Sequence, residues 1–343
     1  MPRGWCDDME KKAMNIYDIA KEAGVSISTV SRVINNKSRV SPETVEKIRR
    51  VMQKCNYTPN PVARGLVNKT LRTIGIVTVD IRGLHYASLA YNVLQKLNDF
   101  GYNCLFCNAG YEEAEQEKNI RTMASNCIDG AVFIGSTLQT PFVQKIVTEY
   151  MGTLPIVMVN ASFDLPNVYS VCCDDKKGVA DAVRLLIDHG NREICYVGCK
   201  KATISGAQKM SGYEEQIRAA GLKLHVLKEE NSIEGGAEAV KNALKNKTAF
   251  TAYVFEHDMQ AVGGVNVLKA SGVRIPEEVE VITYNQSVLS LAVTPHLSCV
   301  DNKLYQIGVK AAELLNDVIE GNEPANKIVY SPTLLLRDST RKA

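Results

Sequence analysis

Apolar residues recur at intervals of three and four in three short stretches between residues 14 and 59, which is the spacing of a buried helix face. Each stretch starts at a residue that can cap a helix N-terminus, namely Asn15, Ser26 or Ser41, and a proline follows the last of them. Gly24 allows a tight turn between the first two stretches. The pattern predicts three short helices, of which the first two form a helix-turn-helix.

From Thr73 onward, short runs rich in β-branched residues alternate with helical stretches. The runs typical of strands are TIGIVTV at 73–79, NCLFCN, GAVFIG, IVMVN, SVCC, ICYVG, AYVFE and VEVITY. The predicted helices cover 87–100, 114–126, 179–189, 212–220, 237–245 and 260–270. Regular alternation over about 270 residues predicts an α/β fold with two parallel, doubly wound sheets.

A short segment that starts at Asn60 lies between these two parts. It begins like a helix, with Asn60 as the cap and Pro61 in the first turn. Because it is too short to be a stable helix in water, we expect it to fold when it binds a partner.

The composition of the chain excludes several classes of protein. Of 343 residues, 45% are hydrophobic and 23% are charged, which is unlike a disordered chain, a collagen-like fibre or a coiled coil. The sequence has neither an apolar run long enough to span a bilayer nor a secretory signal, so a cytoplasmic protein with ten reduced cysteines is expected. Cys104 and Cys107 form a C-x-x-C motif without a matching second pair, which argues against a zinc site there.

The net charge of +2 hides an uneven distribution. Residues 14–72 contain eleven lysines and arginines against four acidic residues, a net charge of +7, and residues 1–13 are balanced. The remaining chain therefore has a net charge of −5. A basic head on a mildly acidic body is typical of a protein that binds a polyanion such as nucleic acid.

The helix-turn-helix assigns roles to particular residues, because its second helix enters the DNA major groove with the N-terminal residues nearest the bases. Ile27 and Ser28 then lie at the end that contacts bases, and Arg32 can contact a guanine or a phosphate. Ile27 either contacts a thymine methyl group or packs against the neighbouring helix, and the sequence leaves both open. The residues suited to contacts with the phosphate backbone are Tyr17, Thr29, Ser31 and Asn35.

The stretches YDIAKEAGVS, TVSRVIN and PNPVARGL closely resemble the DNA-binding headpiece of the lac repressor family. The resemblance implies an N-terminal extension at 1–13, a DNA-binding domain at 14–59, and a hinge helix and linker at 60–72. It also implies that Ala63 and Leu66 enter the minor groove, where the leucine wedges open a base step. The alternative is a linker leucine that rests on the body of the protein.

The body resembles the periplasmic-binding-protein-like effector core of the same family in the stretches CIDGAVFIGS, GVADAVRLLIDHGNREICYVG and YQIGVKAAELL. In that fold the chain crosses three times between two lobes. The resemblance implies a first lobe at 73–172 and 301–326 and a second lobe at 173–300 and 327–343. Ligands of open α/β sheets bind beyond the carboxyl ends of the strands, so an effector is expected between the lobes.

Two residues depart from the sugar-binding and purine-binding members of the family. Lys209 stands where an R-x-x-G-[FY] pattern has arginine, and Asn285 stands where a G-[FY]-D pattern has aspartate. Because lysine is a point charge and asparagine is neutral, the case for a simple sugar is weakened. The other expected cleft residues are His85, Tyr86 and Asp174. Alternatively, His85 and Asp174 cap the helices that follow them, and Lys209 is solvated.

Signatures of enzymes on related folds are absent from the sequence, which has no G-x-G-x-x-G after the first strand, no G-x-x-x-x-G-K-[ST] and no G-x-S-x-G. The five histidines have no metal-ligand spacing. We therefore expect no catalytic residue, no cofactor and no metal. Glu313 occupies a position where members that bind a phosphoprotein corepressor have a basic residue, which favours a small-molecule signal.

These observations predict a DNA-binding transcriptional regulator, a repressor, that binds a palindromic double-stranded operator as a homodimer or as a tetramer. A small-molecule effector, a sugar or another metabolite, controls it from between the lobes, and no membrane partner is expected. The alternative is a solute-binding or sugar-modifying protein on the same bilobal fold.

Overall fold

The computed structural model describes residues 14–34, 40–55, 57 and 71–342. The chain divides into two compact units, of which the first ends at Leu71 and the second begins at Arg72. The N-terminal extension lies outside the described residues. So do three of the predicted DNA contacts, which are Asn35, Ala63 and Leu66.

The first unit contains the three predicted helices, α1 (Ile16–Ala23), α2 (Ile27–Ile34) and α3 (Pro42–Lys54). Their apolar faces meet in one small core, in which Ile19 and Ile48 are fully buried. Short helices of this kind gain most of their stability from such packing rather than from intrinsic propensity.

Each helix of the first unit starts at its predicted cap. The Asn15 side chain accepts hydrogen bonds from two main-chain N–H groups of the first turn, at 2.9 and 3.2 Å, and Asp18 Oδ2 accepts from the Asn15 N–H at 2.9 Å. Ser26 and Ser41 each accept from the N–H three residues on, at 3.1 and 3.3 Å. Gly24 ends α1 with a left-handed φ of 61°. The predicted cap chemistry is confirmed.

The second unit is built on two six-stranded sheets, each with helices packed on both faces. The strands are β1 (Thr73–Thr78), β2 (Asn103–Asn108), β3 (Gly130–Ile134), β4 (Ile156–Val159), β5 (Val168–Cys173), β6 (Ile194–Cys199), β7 (His225–Glu229), β8 (Ala252–Phe255), β9 (Glu280–Tyr284), β10 (Ser298–Asp301), β11 (Lys327–Tyr330) and β12 (Thr333–Leu335). The helices are α4 (Leu84–Asp99), α5 (Glu113–Ser125), α6 (Pro141–Met151), α7 (Asp175–Asp188), α8 (Ile204–Ala219), α9 (Ile233–Lys245), α10 (Asp258–Ala270), α11 (Leu289–Ala292) and α12 (Leu304–Ile319).

The strand order is β11-β5-β4-β3-β1-β2 in the first sheet and β12-β10-β9-β8-β6-β7 in the second. The strand pairs are parallel except that β12 is antiparallel to β10. The predicted α/β fold with two doubly wound sheets is confirmed. No helix among the described residues has both the length and the apolar character needed to cross a membrane.

The two sheets define a first and a second lobe, and the chain crosses between them from β5 to α7, from β10 to α12 and from β11 to β12. The sequence placed residues 327–343 in the second lobe, but β11 at Lys327–Tyr330 pairs in parallel with β5 of the first. The main-chain groups of β11 form hydrogen bonds with the outer edge of β5. The chain therefore crosses to the second lobe for the third time after β11, not before it. The predicted boundary is corrected accordingly.

Helix α8 begins at Ile204 rather than at the predicted Gly212. The Thr203 side chain caps it by accepting a hydrogen bond from the Gly206 N–H at 3.0 Å. Its first turns contain small and polar residues instead of an apolar stripe, so periodicity alone did not indicate them.

Candidate functional site

Helix α2 turns one face away from the core of the first unit. Val30 and Val33 are buried, whereas Ile27, Ser28 and Arg32 are exposed. Ile27 is 41% exposed, which leaves much of its side chain available for a contact outside the unit. An exposed isoleucine beside a serine and an arginine can contact methyl groups and polar base edges.

The described residues predicted to contact phosphate are accessible in different degrees. Tyr17 is 66% exposed near the start of α1, and Thr29 and Ser31 are half-buried. Ser26 Oγ lies 2.8 Å from both Ser28 Oγ and Thr29 Oγ1, so three hydroxyl groups gather at the N-terminus of α2. A helix N-terminus with hydroxyl groups is suited to hydrogen bonding with phosphate oxygens.

In the second unit the lobes meet near the carboxyl ends of the strands. A short 3₁₀ turn after β3, Ser136–Leu138, contacts α8 of the second lobe. The Lys201 ammonium, after β6, lies 4.5 Å from the centre of the Tyr111 ring, which follows β2. We call this region the cleft. Its polar and titratable residues are His85, Tyr86, Cys199, Lys209, Glu256, His257 and Asn285.

Lys209 is 3% exposed and lies on α8. Its Nζ donates to the main-chain oxygen of Glu256 at 3.5 Å and lies 4.1 Å from the centre of the Tyr284 ring. A long hydrogen bond and a cation–π contact therefore hold the ammonium group. The alternative of a solvated lysine is wrong, and a buried positive charge lies on the second-lobe side of the cleft.

Glu256 follows β8 and is 5% exposed. Its Oε2 accepts a hydrogen bond from the Cys199 N–H at 2.9 Å, and its Oε1 lies 3.5 Å from His257 Nε2. Burial alone would raise the pKa of Glu256, but hydrogen bonding with His257 and the positive charge of Lys209 outweigh it and lower the pKa to about 2. The carboxyl group is therefore ionised at neutral pH.

Asn285 directly follows β9 and has a left-handed φ of 77°, which asparagine tolerates better than most residues. Its Oδ1 accepts a hydrogen bond from Asn302 Nδ2 at 2.8 Å, and its Nδ2 lies 3.5 Å from His257 Nδ1. The two asparagines thus extend the polar chain of Cys199, Glu256 and His257 across the second-lobe side of the cleft.

His85 is the second residue of α4, whose N-cap is Gly83 without a side-chain hydrogen bond. The buried His85 Nδ1 has no hydrogen-bond partner among the described residues. Burial, together with the electrostatic influence of Lys209 and His257, lowers the pKa of His85 to about 3. The imidazole is therefore neutral at neutral pH, and it does not cap the helix.

Tyr86 and Asp174 have structural partners. The Tyr86 hydroxyl lies 3.2 Å from Thr137 Oγ1, and its ring packs against the cores on both faces of the first sheet. Asp174 Oδ1 accepts from the N–H three residues on at 3.0 Å, so it caps α7 as its alternative role predicted. The next residue, Asp175, is buried and accepts a hydrogen bond from the Tyr284 hydroxyl at 2.6 Å.

Sequence reasoning missed Cys199, Glu256 and His257. Strands β6 and β8 are parallel neighbours, so the residues at their carboxyl ends meet although they are far apart in the chain. A polar or thiol side chain at the end of a buried apolar run could have indicated these residues from the sequence. Such positions border the ligand sites of α/β sheets.

Comparison with known protein families matches both units. Residues 15–60 match the family described as bacterial regulatory proteins, lacI family. Residues 72–336 match the family described as periplasmic binding proteins and sugar binding domain of the LacI family. The chain belongs to the lacI family. The predicted family resemblance is confirmed, and this lacI-family chain is a transcriptional regulator with a DNA-binding helix-turn-helix and an effector-binding core.

Individual relatives of this lacI-family chain align over nearly its whole length. An HTH-type transcriptional regulator from Lachnoclostridium phytofermentans is 35% identical and aligns over 95% of this chain and 99% of its own. Catabolite control protein A from Priestia megaterium is 29% identical, over 96% of this chain and 99% of its own.

Solved structures show the same fold. The lac repressor dimer bound to operator and the anti-inducer ONPF aligns with a TM-score of 0.88 at 21% identity, over 96% of this chain and 99% of its own. A complex of the transcriptional regulator CelR with cellobiose aligns with a TM-score of 0.70 at 25% identity, over 95% of this chain and 99% of its own.

Proposed function

We propose that this lacI-family regulator is a cytoplasmic repressor that binds a palindromic operator as a homodimer and responds to a small molecule in the cleft. The observation that carries the proposal is the outward face of α2, where Ile27, Ser28 and Arg32 are exposed together. A dimer with two such faces suits two symmetric half-sites. We propose no catalytic role for this regulator.

The proposed contacts with the operator divide by type. Ile27 contacts a thymine methyl group, and Ser28 and Arg32 contact polar base edges in the major groove. In the hinge, Ala63 and Leu66 enter the minor groove, where an apolar wedge can kink the duplex. The contacts with phosphate, which set the register of the protein on DNA, come from Tyr17, Thr29, Ser31 and Asn35.

The proposed effector is a small polar metabolite, a sugar or another compound. Lys209, Asn285 and His85 provide a buried cation, an amide and a neutral imidazole nitrogen for it. An effector that binds one arrangement of the two lobes more tightly than another shifts the equilibrium toward the tighter-binding arrangement. Such a shift changes the affinity for the operator. Glu313, where members that bind a phosphoprotein corepressor have a basic residue, favours a small-molecule signal; its carboxylate lies 3.3 Å from Lys310 Nζ and 3.9 Å from Lys96 Nζ.

Footprinting of the full-length protein on the DNA upstream of its own gene tests this function. We expect protection of a palindromic site, with two half-sites about 10 base pairs apart or a multiple of that. The full-length variant Ile27→Ala, whose exposed side chain lies outside the core, should bind that site more weakly while keeping its helix content. No sequence-specific protection by the wild type would instead support a solute-binding or sugar-modifying protein on the same bilobal fold.

A further inference from the structure

The carboxyl ends of β6 and β8 gather three different metal-binding side chains. Among the described residues, the Cys199 Sγ, a Glu256 carboxylate oxygen and a His257 ring nitrogen all lie within 4.8 Å of one another. Glu256 is buried and the other two residues are half-buried. A thiolate, a carboxylate and an imidazole are the donors that zinc uses in proteins, and three protein ligands leave a fourth position open.

The hydrogen bonds of the cluster leave its donor atoms usable. Glu256 Oε2 accepts a hydrogen bond from the Cys199 N–H at 2.9 Å, and Oε1 lies 3.5 Å from His257 Nε2. Gly206 allows the start of α8 to approach this carboxylate, because a Cβ there would lie 2.8 Å from Glu256 Oε1. The Cys199 N–H thus orients the carboxylate, as hydrogen bonds commonly orient metal-binding carboxylates.

A cavity of about 300 Å³ opens beside the cluster. Cys199 and Glu256 line it, together with Thr203, Gly206 and Met210. An ion therefore has a route to Cys199 and Glu256, and there is room for a water molecule or a ligand oxygen on an open coordination position.

We propose that Cys199, Glu256 and His257 bind a divalent transition metal ion of the zinc class in the cleft. On binding, the Cys199 S–H bond breaks, its proton passes to solvent, and the sulfur lone pair forms the metal–sulfur bond. The thiolate and the carboxylate bring two negative charges to the ion, and the Lys209 ammonium, 3.5 Å from the Glu256 carbonyl oxygen, remains as a further positive charge nearby. The site depends on the second lobe alone, so it does not require the proposed operator or effector binding.

Titration of the reduced, tag-free, full-length protein with Co²⁺ and Zn²⁺ tests the site. We expect one Co²⁺ per chain with a thiolate-to-cobalt charge-transfer absorption in the near ultraviolet, and displacement of cobalt by Zn²⁺. Cys199→Ser should abolish that absorption. Glu256→Gln, which keeps an acceptor for the Cys199 N–H, and His257→Gln should each weaken binding at least about tenfold.

Two variants outside the cleft serve as matched controls. Cys127→Ser removes an exposed thiol of the first lobe, and His296→Gln removes a histidine whose side chain is 51% exposed. Both should bind Co²⁺ like the wild type. Circular dichroism is used to check that each variant is folded. If Cys199→Ser does not fold, His257→Gln decides the question.

Three results would overturn the proposal: a wild type without the charge-transfer absorption, a folded Cys199→Ser protein with an unchanged spectrum, or the same loss in the control variants. Operator binding should also be measured with and without a chelator. Operator binding that persists without metal supports the proposed repressor function even if the metal site is overturned.

Discussion

At the scale of single residues, Lys209 and Asn285 change what the cleft can recognise. An arginine and an aspartate in these places would offer a forked donor and a charged acceptor to neighbouring hydroxyl groups. Lys209 is instead directed to the Glu256 carbonyl and the Tyr284 ring, and the Asn285 oxygen is occupied by Asn302. The cleft therefore offers fewer free, charged groups for a vicinal diol than the family patterns imply.

We expect the double variant Lys209→Arg, Asn285→Asp to gain affinity for vicinal diols by about 1.5–3 kcal/mol, the range of hydrogen bonds to charged groups. Calorimetric titration of wild type and variant with sugars, nucleosides and polyols measures the difference. Operator affinity in the absence of ligand should not change. An equal change for all ligands would argue against a role of this pair in selectivity.

Arg32 permits a prediction about the operator. If its guanidinium makes a bidentate contact with a base, Arg32→Ala should cost about 1–3 kcal/mol and relax specificity at one base pair. Binding to a set of operators with single substitutions measures both effects. Arg50→Ala is the matched control, because Arg50 is an exposed arginine of α3 that pairs with Glu46 at 3.1 Å. A loss that is uniform over all duplexes would assign Arg32 to a phosphate.

At the scale of helices and strands, local chemistry was predictable and sheet membership was not. The caps at Asn15, Ser26 and Ser41 depend on neighbours within three residues, so the sequence indicates them directly. The lobe of β11 depends on its pairing with β5, which lies far away in the chain. The meeting of Cys199 with Glu256 likewise depends on the order of the strands.

Strand β9 contains a buried carboxylate that joins distant elements. Glu280 lies 2.7 Å from His189 Nδ1 after α7, accepts from Asn191 Nδ2 at 2.6 Å, and accepts from the Arg341 guanidinium at 2.6 Å. Burial alone would raise the pKa of Glu280, but the hydrogen bonds from His189, Arg341 and Asn191 outweigh it and lower the pKa. The ionised group ties the C-terminal residues to the second lobe.

Glu280→Gln should reduce the free energy of unfolding by about 1.5–3 kcal/mol at neutral pH, because it removes a charged acceptor. A carboxyl group with a lowered pKa adds stability above its ordinary value of 4.5, and this stability is lost as pH falls below that value. The difference between wild type and variant in urea unfolding should therefore shrink as the solution is acidified. Glu278→Gln, at an exposed ion pair with Arg274, is the control and should change stability much less than Glu280→Gln at neutral pH. An equal difference at all pH values would contradict the role of the charge.

At the scale of the whole molecule, the two compact units carry opposite net charges. Residues 1–71, the first unit, have a net charge of +6, and residues 72–343, the second unit, have a net charge of −4. The positive charge thus lies with the helix-turn-helix, while the core that contains the cleft is mildly acidic. Surface charges act over about 8–10 Å at physiological salt, so they favour contact of the first unit with DNA and disfavour contact of the core.

The uneven charge predicts a steep salt dependence of DNA binding. If a dimer neutralises about 6–10 phosphates, operator affinity should fall by about 10³–10⁵-fold between about 50 and 200 mM salt. Fluorescence anisotropy at a series of KCl concentrations measures the slope, with a scrambled duplex as the control. The scrambled duplex should bind more weakly but also lose affinity steeply, because release of counterions from phosphates does not depend on base sequence. A slope near zero for the operator would mean that the basic residues of the first unit do not contact the phosphate backbone.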